Sequence, residues 1–467
     1  MRIRPGDEDT ICALATAPGV GAIAVVRISG PQALKCSRAL APFLPERPES
    51  HRAYFGTLKT SADGSSKNID EALVTYFAHG RSFTGEESLE FSVHGGDQIS
   101  GRVVEELIRG GARLAKPGEF TYRAFLNDRI DLVQAESILS LIESRSEMGS
   151  ANALNQLKGE LSKKFLEIED GLLWLGAQLE ASIDFSSDGI ELTPSKDLLE
   201  RATKLQNEIR ALIATYQKGR ILRDGVLVAL IGAPNAGKSS LLNAIVEDDR
   251  AIVTEHAGTT RDLIQVETRL EGTPVTWVDT AGIRASEDAV EKIGIERSLK
   301  MRNEADFVVV VIDLSDRSWR DRLAAFIREG RKDEWYFFNK LDLDRSGEWF
   351  ATAESEAEKY GILSRSVFGS AARGTGLESL KDAVLKPVRE KLGVAGGTVV
   401  TQSRHFEGLQ RIDSSLEKAL KLIRNDASPE LIAFELQEGV KTVHELLGKV
   451  FHEQVIDRIF KEFCLGK

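Results

Sequence analysis

The chain has 467 residues, of which 42% are hydrophobic and 28% are charged, and this composition is typical of a soluble globular protein. Its length exceeds that of one ordinary hydrophobic core and suits about two to four domains. The net charge of -11 argues against a protein that binds nucleic acid through bulk positive charge, although a local basic surface is compatible with it.

The cysteines and the apolar runs bear on where the protein works. Cys12, Cys36 and Cys464 are odd in number and far apart, so they give neither a disulfide framework nor metal-ligand spacing. The first residues, MRIRPGDEDTIC, contain no apolar core of the signal-peptide type. The longest purely apolar run, 307–312, is far shorter than a membrane span. These features predict a cytoplasmic protein in a reducing compartment, with no membrane segment.

The first 123 residues mix short β-rich runs with turn residues and predict an α+β domain. Segments 21–30, 71–80 and 88–96 have the composition of strands, and each ends in glycine. Segment 97–114 has the pattern of a helix.

Long helices with few breaking residues follow from residue 124. Between Leu157 and Ile183, apolar residues recur at spacings of three and four, which predicts the buried stripe of one long helix. Segment 193–222 predicts another helix.

Helices resume near the end of the chain. Segment 428–448 predicts a helix with Ser428 as its N-cap and Pro429 at its first position. Neither helical block has an obvious core of its own, so we expect 124–221 and 385–467 to pack as one discontinuous domain. Two separate helical domains are the alternative.

Residues 222–384 alternate short apolar strands with helical segments. We expect an edge strand at 262–270 to form a hairpin with the following strand through the turn EGTP. The alternation predicts a doubly wound sheet with one antiparallel edge, inserted into the helical domain. Its other strands are predicted at 225–231, 274–280, 306–313 and 335–340.

A phosphate-binding loop follows the first of these strands. The sequence GAPNAGKSS fits G-x-x-x-x-G-K-[ST] from Gly232 to Ser239. Gly232 and Gly237 let the backbone bend so that successive N–H groups face phosphate. Lys238 would neutralise the β- and γ-phosphates, and Ser239 would ligate magnesium.

Further segments in the expected order complete a nucleotide site. In DTAG, Asp279 is suited to hold magnesium through water, and the Gly282 N–H is suited to meet the γ-phosphate. GTTRD supplies Thr260 as a second magnesium hydroxyl in a switch loop.

Two segments predict the base that the site selects. NKLD ends a strand, and Asp342 can accept hydrogen bonds from the ring N–H and amino group of guanine, a donor pair that adenine lacks. Asn339 and the stem of Lys340 complete the pocket, and SAARG (370–374) supplies a loop near the base. The combination predicts a GTP-binding domain.

The groups that hydrolyse GTP are less evident. Ile283 stands where many small GTPases have a water-orienting glutamine, so another group must act. Glu291 is one candidate, and an exposed helix-surface carboxylate is the alternative reading. Arg261 and Arg284 are candidate arginine fingers, and a monovalent cation bound near Asn235 is another possibility.

Several of these segments together resemble one family, the tRNA uridine-5-carboxymethylaminomethyl modification GTPases MnmE (TrmE). The nucleotide motifs are shared with ribosome-assembly GTPases, whereas the N-terminal block and the tail are much more specific. The segments are GAPNAGKSSLLNAI, AIVTEHAGTTRD, DTAGIR, VEKIGIER, NKLD, KPGEFTYRAFLNDRIDLVQAE and FCLGK.

The resemblance implies an architecture and an activity. It implies an N-terminal folate-binding and dimerising domain at 1–123, a discontinuous helical domain at 124–221 and 385–467, and a Ras-like P-loop G domain at 222–384. A homodimer would work with the FAD-containing flavoprotein MnmG (GidA) and tRNA. Together they would add an aminomethyl-type group to carbon 5 of the wobble uridine, with 5,10-methylenetetrahydrofolate as donor and 5-formyl-tetrahydrofolate as an analogue. A ribosome-assembly or regulatory GTPase without covalent RNA chemistry is the alternative.

The resemblance also assigns residues to GTP hydrolysis. Glu291 would orient the attacking water, and Ser239 and Thr260 would hold Mg²⁺. K⁺ would stand in for an arginine finger, held by Asn235, Thr254, the backbone carbonyl of His256, and Thr259. The predicted GTP site comprises Asn235, Ala236, Gly237, Lys238, Ser239, Ser240, Thr254, Glu255, His256, Ala257, Gly258, Thr259, Thr260, Asp279, Thr280, Ala281, Gly282, Asn339, Lys340, Asp342, Ser370, Ala371 and Ala372.

A folate site and a reactive tail are implied as well. The folate site would draw on Arg27, Glu90, Arg129 and Lys467, because a carboxylate suits the amide-like edge of a pterin and cations suit its glutamate tail. Apolar residues before FCLGK predict that the tail docks on the helical domain. Cys464 would then support tRNA modification rather than GTP hydrolysis, while a small buried apolar group is the alternative reading.

Overall fold

The computed structural model describes residues 9–60, 67–184, 195–248, 264–279, 301–392, 398–425, 427–451 and 453–466. The chain divides into two compact units. The first unit comprises Met1–Ile142, Ala153–Arg210 and Glu407–Lys467, and the second comprises Glu143–Asn152 and Ala211–Phe406. Among the described residues, no helix combines the length and the apolar character needed to cross a membrane.

The first unit contains a six-stranded sheet in the order β3-β4-β5-β2-β1-β6. All neighbouring strands are antiparallel except β1 and β6, which are parallel. Residues alternate between the two faces, so Val26 and Phe91 are buried while the cross-strand partners Arg27 and Glu90 lie on the other face. The strands are β1 (Ile11–Leu14), β2 (Ile23–Ser29), β3 (Arg52–Lys59), β4 (Asn68–Phe77), β5 (Ser88–His94) and β6 (Arg113–Leu114).

The sequence-based strands of this sheet are confirmed, but the helix predicted for 97–114 is too long. That helix ends at Arg109, and Arg113–Leu114 forms a strand parallel to β1 instead. The physical reason is Gly111, whose φ of 109° lies outside the helical region. Helices of the N-terminal part are α1 (Ala33–Ser37), α2 (Asp97–Arg109), α3 (Glu119–Leu126) and α4 (Leu132–Glu143).

The long helices also differ from prediction at two breaks. The helix predicted from Leu157 begins at Glu160, because Gly159 with a φ of 87° separates it from the preceding helix. The helix predicted for 193–222 is two helices that meet at Thr215, whose hydroxyl donates to the Leu212 carbonyl at 2.7 Å. The elements concerned are α5 (Glu147–Leu157), α6 (Glu160–Asp184), α7 (Ser195–Ala214) and α8 (Tyr216–Asp224).

Helix α6 carries the predicted apolar stripe and packs closely against a C-terminal helix. A Cβ added to Gly439 would lie 3.1 Å from Cδ1 of Leu172, so the Leu172 side chain packs directly on the Gly439 backbone. Pro429 is the first helical residue as predicted; Ser428 occupies the N-cap position, but its side chain makes no capping hydrogen bond. The C-terminal helices are α13 (Ser403–Arg424), α14 (Pro429–Leu447) and α15 (Glu453–Lys461).

The second unit contains the predicted doubly wound sheet, in the order β12-β11-β10-β7-β9-β8. Only β8 is antiparallel to its neighbour, so the predicted antiparallel edge is confirmed. The strands are β7 (Val226–Gly232), β8 (Ile264–Leu270), β9 (Thr273–Asp279), β10 (Phe307–Asp313), β11 (Trp335–Asn339) and β12 (Ser366–Phe368). Its helices are α9 (Lys238–Asp248), α10 (Trp319–Glu329), α11 (Glu348–Lys359) and α12 (Leu377–Leu392).

Two features of this sheet position the site. The register of the parallel strands brings Gly232, Asp279, Asp313 and Asn339 to the same carboxyl edge, where α/β sheets bind ligands. At the edge of the sheet, two ion pairs join the β8–β9 hairpin to neighbouring segments. Glu267 accepts a hydrogen bond from Arg145, and Glu271 accepts one from Nε of Arg389 at 3.0 Å.

Candidate functional site

The loop after β7 has the bent backbone that its glycines predict. Gly232, Asn235 and Gly237 have φ values of 156°, 61° and 96°. A Cβ on Gly237 would lie 2.3 Å from Nδ2 of Asn339, so only glycine fits there without displacing that side chain. Asn235 is exposed in the left-handed conformation, which asparagine tolerates better than most residues.

Lys238 is buried at the first position of α9. Its Nζ donates to the carbonyl oxygens of Gly232 and Ala233, both at 2.8 Å, so the side chain is folded back over the loop. Burial lowers the pKa of Lys238, and the Asp279 carboxylate acts in the opposite direction. Phosphate oxygens are stronger acceptors than carbonyl oxygens and would compensate the buried charge more fully.

Ser239 and Asp279 fit a magnesium ion. Oγ of Ser239 donates to Oδ2 of Asp279 at 2.5 Å, so the two oxygens already lie side by side. Asp279 ends β9 and is fully buried, whereas Ser239 is exposed. A hydroxyl and a carboxylate are hard oxygen ligands of the kind that Mg²⁺ prefers, often with water completing the octahedron.

Asn339 links the phosphate loop to the loop after β12. Its Nδ2 donates to the carbonyl oxygen of Ala236 at 2.9 Å. Its Oδ1 accepts hydrogen bonds from the backbone N–H groups of Lys340 at 2.8 Å and Ala371 at 2.9 Å. All three bonds are made by one amide that is 2% exposed, so the three loops are held in one arrangement.

Asp342 follows Asn339 in the same NKLD segment, and its side chain is exposed. One oxygen, Oδ1, accepts a hydrogen bond from Oγ of Ser370 at 2.5 Å. Ala372 is exposed in the same loop, and Ala371 is buried. An ionised carboxylate accepts up to about four hydrogen bonds, so Asp342 retains the capacity to bind the two donors of a guanine edge.

The structure thus brings together the described members of the predicted GTP site. Part of the prediction lies outside the described residues and stays a prediction. This part consists of Thr254, Glu255, His256, Ala257, Gly258, Thr259, Thr260, Thr280, Ala281, Gly282 and Glu291, together with Lys467 of the predicted folate site.

Arg27 and Glu90 form an ion pair on one face of the first unit's sheet. Oε1 of Glu90 accepts from Nε of Arg27 at 2.9 Å and lies 2.8 Å from its Nη2. The guanidinium also lies over two aromatic rings, 5.8 Å from the centroid of Phe83 and 5.6 Å from that of Phe120. Phe83 is 40% exposed, so this group of side chains presents a flat apolar surface beside two opposite charges.

Arg129 lies against the loop that carries Phe83. Its Nη1 donates to the Gly80 carbonyl at 3.4 Å, and its Cγ would lie 3.2 Å from a Cβ on Gly85. One loop therefore contacts both arginines of the predicted folate site.

The tail after α15 is docked, as its apolar stripe predicts. Phe463 is buried with Phe460, and the carbonyl oxygen of Cys464 accepts from the Gly118 N–H at 3.4 Å. A Cβ on Gly466 would lie 2.1 Å from the carbonyl oxygen of Leu14, so the chain passes directly over the end of β1. The side chain of Cys464 is exposed, which contradicts the alternative of a small buried group.

Sequence reasoning missed an ionic cluster around the buried Arg123. Arg123, 2% exposed, donates to Asp9 at 2.7 Å, to Glu86 at 3.0 Å and to Glu119 at 3.1 Å, and Arg113 also binds Asp9 and Glu119. Burial raises the pKa of Glu86, and Arg123 opposes that shift. Only the i,i+4 pair of Glu119 and Arg123 is local, and no sequence pattern could have brought Asp9 and Glu86 to it.

Comparison with known proteins gives matches over nearly the whole chain. A family model described as the MnmE helical domain matches residues 132–464, and one described as the GTP-binding protein TrmE N-terminus matches residues 10–129. The tRNA modification GTPase MnmE of Bdellovibrio bacteriovorus is 43% identical, with 99% of this chain and 98% of the relative covered. That of Aquifex aeolicus is 38% identical, with 98% and 100% covered.

Solved structures add a partial match. The G domain of the T. maritima FeoB iron transporter is 26% identical, with 34% of this chain and 97% of that chain covered, at a TM-score of 0.27. The assignment rests instead on the family models and the full-length relatives. This chain belongs to the MnmE family of tRNA modification GTPases.

Proposed function

We propose that this GTPase, with the flavoprotein MnmG (GidA) as partner, adds an aminomethyl or carboxymethylaminomethyl group to carbon 5 of the wobble uridine of certain tRNAs. The one-carbon unit would come from 5,10-methylenetetrahydrofolate. The observation that carries the proposal is the pairing of Arg27 with Glu90 beside Phe83, together with a docked tail in the same unit that exposes Cys464. This group supports a second ligand besides the nucleotide, which a switch without covalent RNA chemistry would not require.

The chemistry of this group suits a reduced folate. A pterin offers a flat ring and an amide-like edge, and Phe83 and the Glu90 carboxylate can bind these two features. Arg27 and Arg129, with Lys467, would bind the carboxylates of the glutamate tail. The tail contacts Gly118, and Phe120 of the same turn lies 5.6 Å from the Arg27 guanidinium, so one turn of α3 links the segment of Cys464 to this group of side chains.

GTP hydrolysis would use the second unit. Lys238 would neutralise the β- and γ-phosphates, and Ser239 with Thr260 would hold Mg²⁺. The Glu291 carboxylate would orient the attacking water. Bound K⁺ would supply the positive charge of an arginine finger, with Asn235, Thr254, the backbone carbonyl of His256, and Thr259 as its ligands. Contact between the G domains of a cytoplasmic homodimer would complete the site.

Wobble-nucleoside analysis by mass spectrometry tests the modification. Cells that lack this protein should lose the modified uridine, and the wild-type gene should restore it. Cys464→Ser should fail to restore the nucleoside while retaining GTP hydrolysis. Loss of both activities in this variant would indicate misfolding, and full restoration would contradict a role for the thiol.

Hydrolysis rates in different salts test the cation site. GTP hydrolysis should be much faster in potassium than in sodium, and Asn235→Ala should remove the difference. Equal wild-type rates in the two salts would contradict a potassium site.

Glu291→Ala tests the water-orienting role. The variant should slow hydrolysis and leave GTP affinity nearly unchanged, because the carboxylate would act on water rather than on the bound nucleotide. A large loss of affinity would identify Glu291 as a structural residue instead.

A further inference from the structure

Lys340, the lysine of the NKLD segment, is held by a carboxylate outside that segment. Its Nζ donates to Oδ2 of Asp313 at 2.7 Å. Asp313 ends β10, and its register partner on β11 is Asn339, the residue before Lys340. The lysine side chain therefore bridges the carboxyl ends of two neighbouring strands.

Both ends of this bridge are fixed. Oδ1 of Asp313 accepts from the backbone N–H of Ser315 at 2.9 Å and from its Oγ at 2.6 Å, which leaves Oδ2 directed at the lysine. Lys340 has a φ of 70°, and its N–H is bound by Asn339. The side chains of Lys340 and Asp313 are 29% and 16% exposed, so the bridge is shielded but still borders open space.

We propose that Asp313 is a positioning residue of the guanine site, which it serves by holding the Lys340 ammonium so that the methylene stem supports the face of the purine ring. This inference rests on the base site proposed at Asn339, Lys340 and Asp342. In that site, the Asp342 carboxylate binds the edge of the guanine base, whereas the methylene stem of Lys340 packs against the face of the base.

Electrostatics explains why the lysine needs a partner. A free ammonium beside a nucleotide is attracted to the phosphates, where Lys238 already supplies a positive charge. Asp313 neutralises Lys340 locally and keeps it at the base end of the site. Support of the ring face does not depend on the substituents of the purine, so Asp313 should affect all purine nucleotides alike.

A double-mutant cycle on nucleotide affinity tests this role. Calorimetry would measure the Kd of GDP and of inosine diphosphate, which lacks the 2-amino group, for the full chain and for Asp313→Asn, Lys340→Met and the double variant. Asp313→Asn should weaken both nucleotides by about fivefold. It should have no further effect in the Lys340→Met background, where no ammonium remains to be positioned.

Two further variants separate the inference from the base site on which it rests. Asp344→Asn is the matched control, because Asp344 follows the same segment but binds Ser346, Gly347 and Trp349 at the start of α11, and its affinities should be unchanged. Asp342→Ala should weaken GDP more than inosine diphosphate. Equal losses for the two nucleotides in Asp342→Ala would overturn the base site and the inference with it.

The remaining outcomes concern Asp313 alone. If Asp342→Ala discriminates between the nucleotides but Asp313→Asn leaves both affinities unchanged, the positioning role is wrong. It is also wrong if Asp313→Asn weakens binding equally with and without the lysine, since the carboxylate would then act by another route. Thermal melting of each variant identifies losses of affinity that come from unfolding.

Discussion

The Asn339 side chain occupies the space beside Gly237 and leaves no room for a side chain at that position. A Cβ on Gly237 would lie 2.3 Å from Nδ2 of Asn339. The same nitrogen donates to the carbonyl of Ala236 at 2.9 Å. The phosphate loop and the predicted base-binding segment are thus in direct contact. A substitution in one of them should therefore alter the position of the other.

Gly237→Ala should therefore impair nucleotide binding. The added methyl group must displace Asn339, and alanine must adopt a φ of 96°, so we expect GDP affinity to fall by about tenfold or more. Calorimetric titration with GDP measures the loss. Gly176→Ala is the control, because nothing lies within 4 Å of a Cβ there; its affinity should be unchanged and its stability should rise by about 0.5–1 kcal/mol. An unaltered GDP affinity in Gly237→Ala would show that the contact between Gly237 and Asn339 does not affect nucleotide binding.

Gly466→Ala should detach the tail. Its Cβ would meet the Leu14 carbonyl at 2.1 Å, and its φ of 88° disfavours alanine. Since the tail is proposed to complete the folate site, binding of 5-formyl-tetrahydrofolate should weaken while GTP hydrolysis is retained. Leu465→Ala is the matched control, because that side chain is 43% exposed and should be dispensable. Folate affinity that is insensitive to Gly466→Ala would separate the tail from the site.

Arg27→Ala should weaken binding of 5-formyl-tetrahydrofolate in calorimetry, since it removes a charge and leaves Glu90 without its partner at 2.9 Å. Arg27→Lys should recover binding only partly, because an ammonium cannot reproduce the planar contacts with Phe83 and Phe120. Arg52→Ala is a suitable control: Arg52 also lies over a ring, 5.6 Å from Tyr54, but at an exposed position. Folate binding that survives Arg27→Ala, or that is lost equally in Arg52→Ala, would remove the proposed site.

Glu169 should make the stability of the first unit sensitive to acid. Burial alone would raise the pKa of Glu169, but hydrogen bonds from Lys449 at 2.6 Å and His444 at 2.7 Å bring the pKa below its usual value. A carboxyl whose pKa is lowered by folding contributes stability above its unfolded pKa and loses it as the pH falls through the folded value.

Denaturant unfolding between about pH 6 and pH 3 measures this contribution. Wild-type stability should decline in the acid part of that range, and Glu169→Gln should be less stable at pH 6 and decline less on acidification. Glu438→Gln is the control, because the Glu438 side chain is 44% exposed and its ion pair with Lys441 is long, at 4.0 Å. Parallel pH profiles for wild type and Glu169→Gln would contradict the assignment.

The sequence was sufficient where local patterns carry the information. Short apolar strands that end in glycine or in polar residues predicted the sheet around the phosphate loop, including its antiparallel edge strand. The pattern failed at Gly111, Gly159 and Thr215, because an apolar stripe continues across a turn that a single residue introduces.

Contacts between distant parts of the chain were beyond local patterns. Asp313 reads as an ordinary residue at the end of a strand, and only the register of β10 with β11 brings it to Lys340. Arg123 is likewise unremarkable in sequence, yet it is buried against Glu119 of its own helix and against Asp9 and Glu86 from distant segments. Such residues acquire their partners from contacts between segments that are distant in the sequence, which local patterns do not reveal.

The β8–β9 hairpin has a mechanical consequence. Ile264 pairs with Asp279, so the start of β8, which follows the predicted switch loop, lies beside the end of β9, which carries the predicted magnesium ligand Asp279. Seven residues of β-strand span about 23 Å. We therefore expect a displacement of Asp279 to move Glu267 and Glu271, and with them their partners Arg145 and Arg389. Arg145 lies in Glu143–Asn152, whose two flanking stretches of chain both belong to the first unit, so the force would be transmitted along the polypeptide itself.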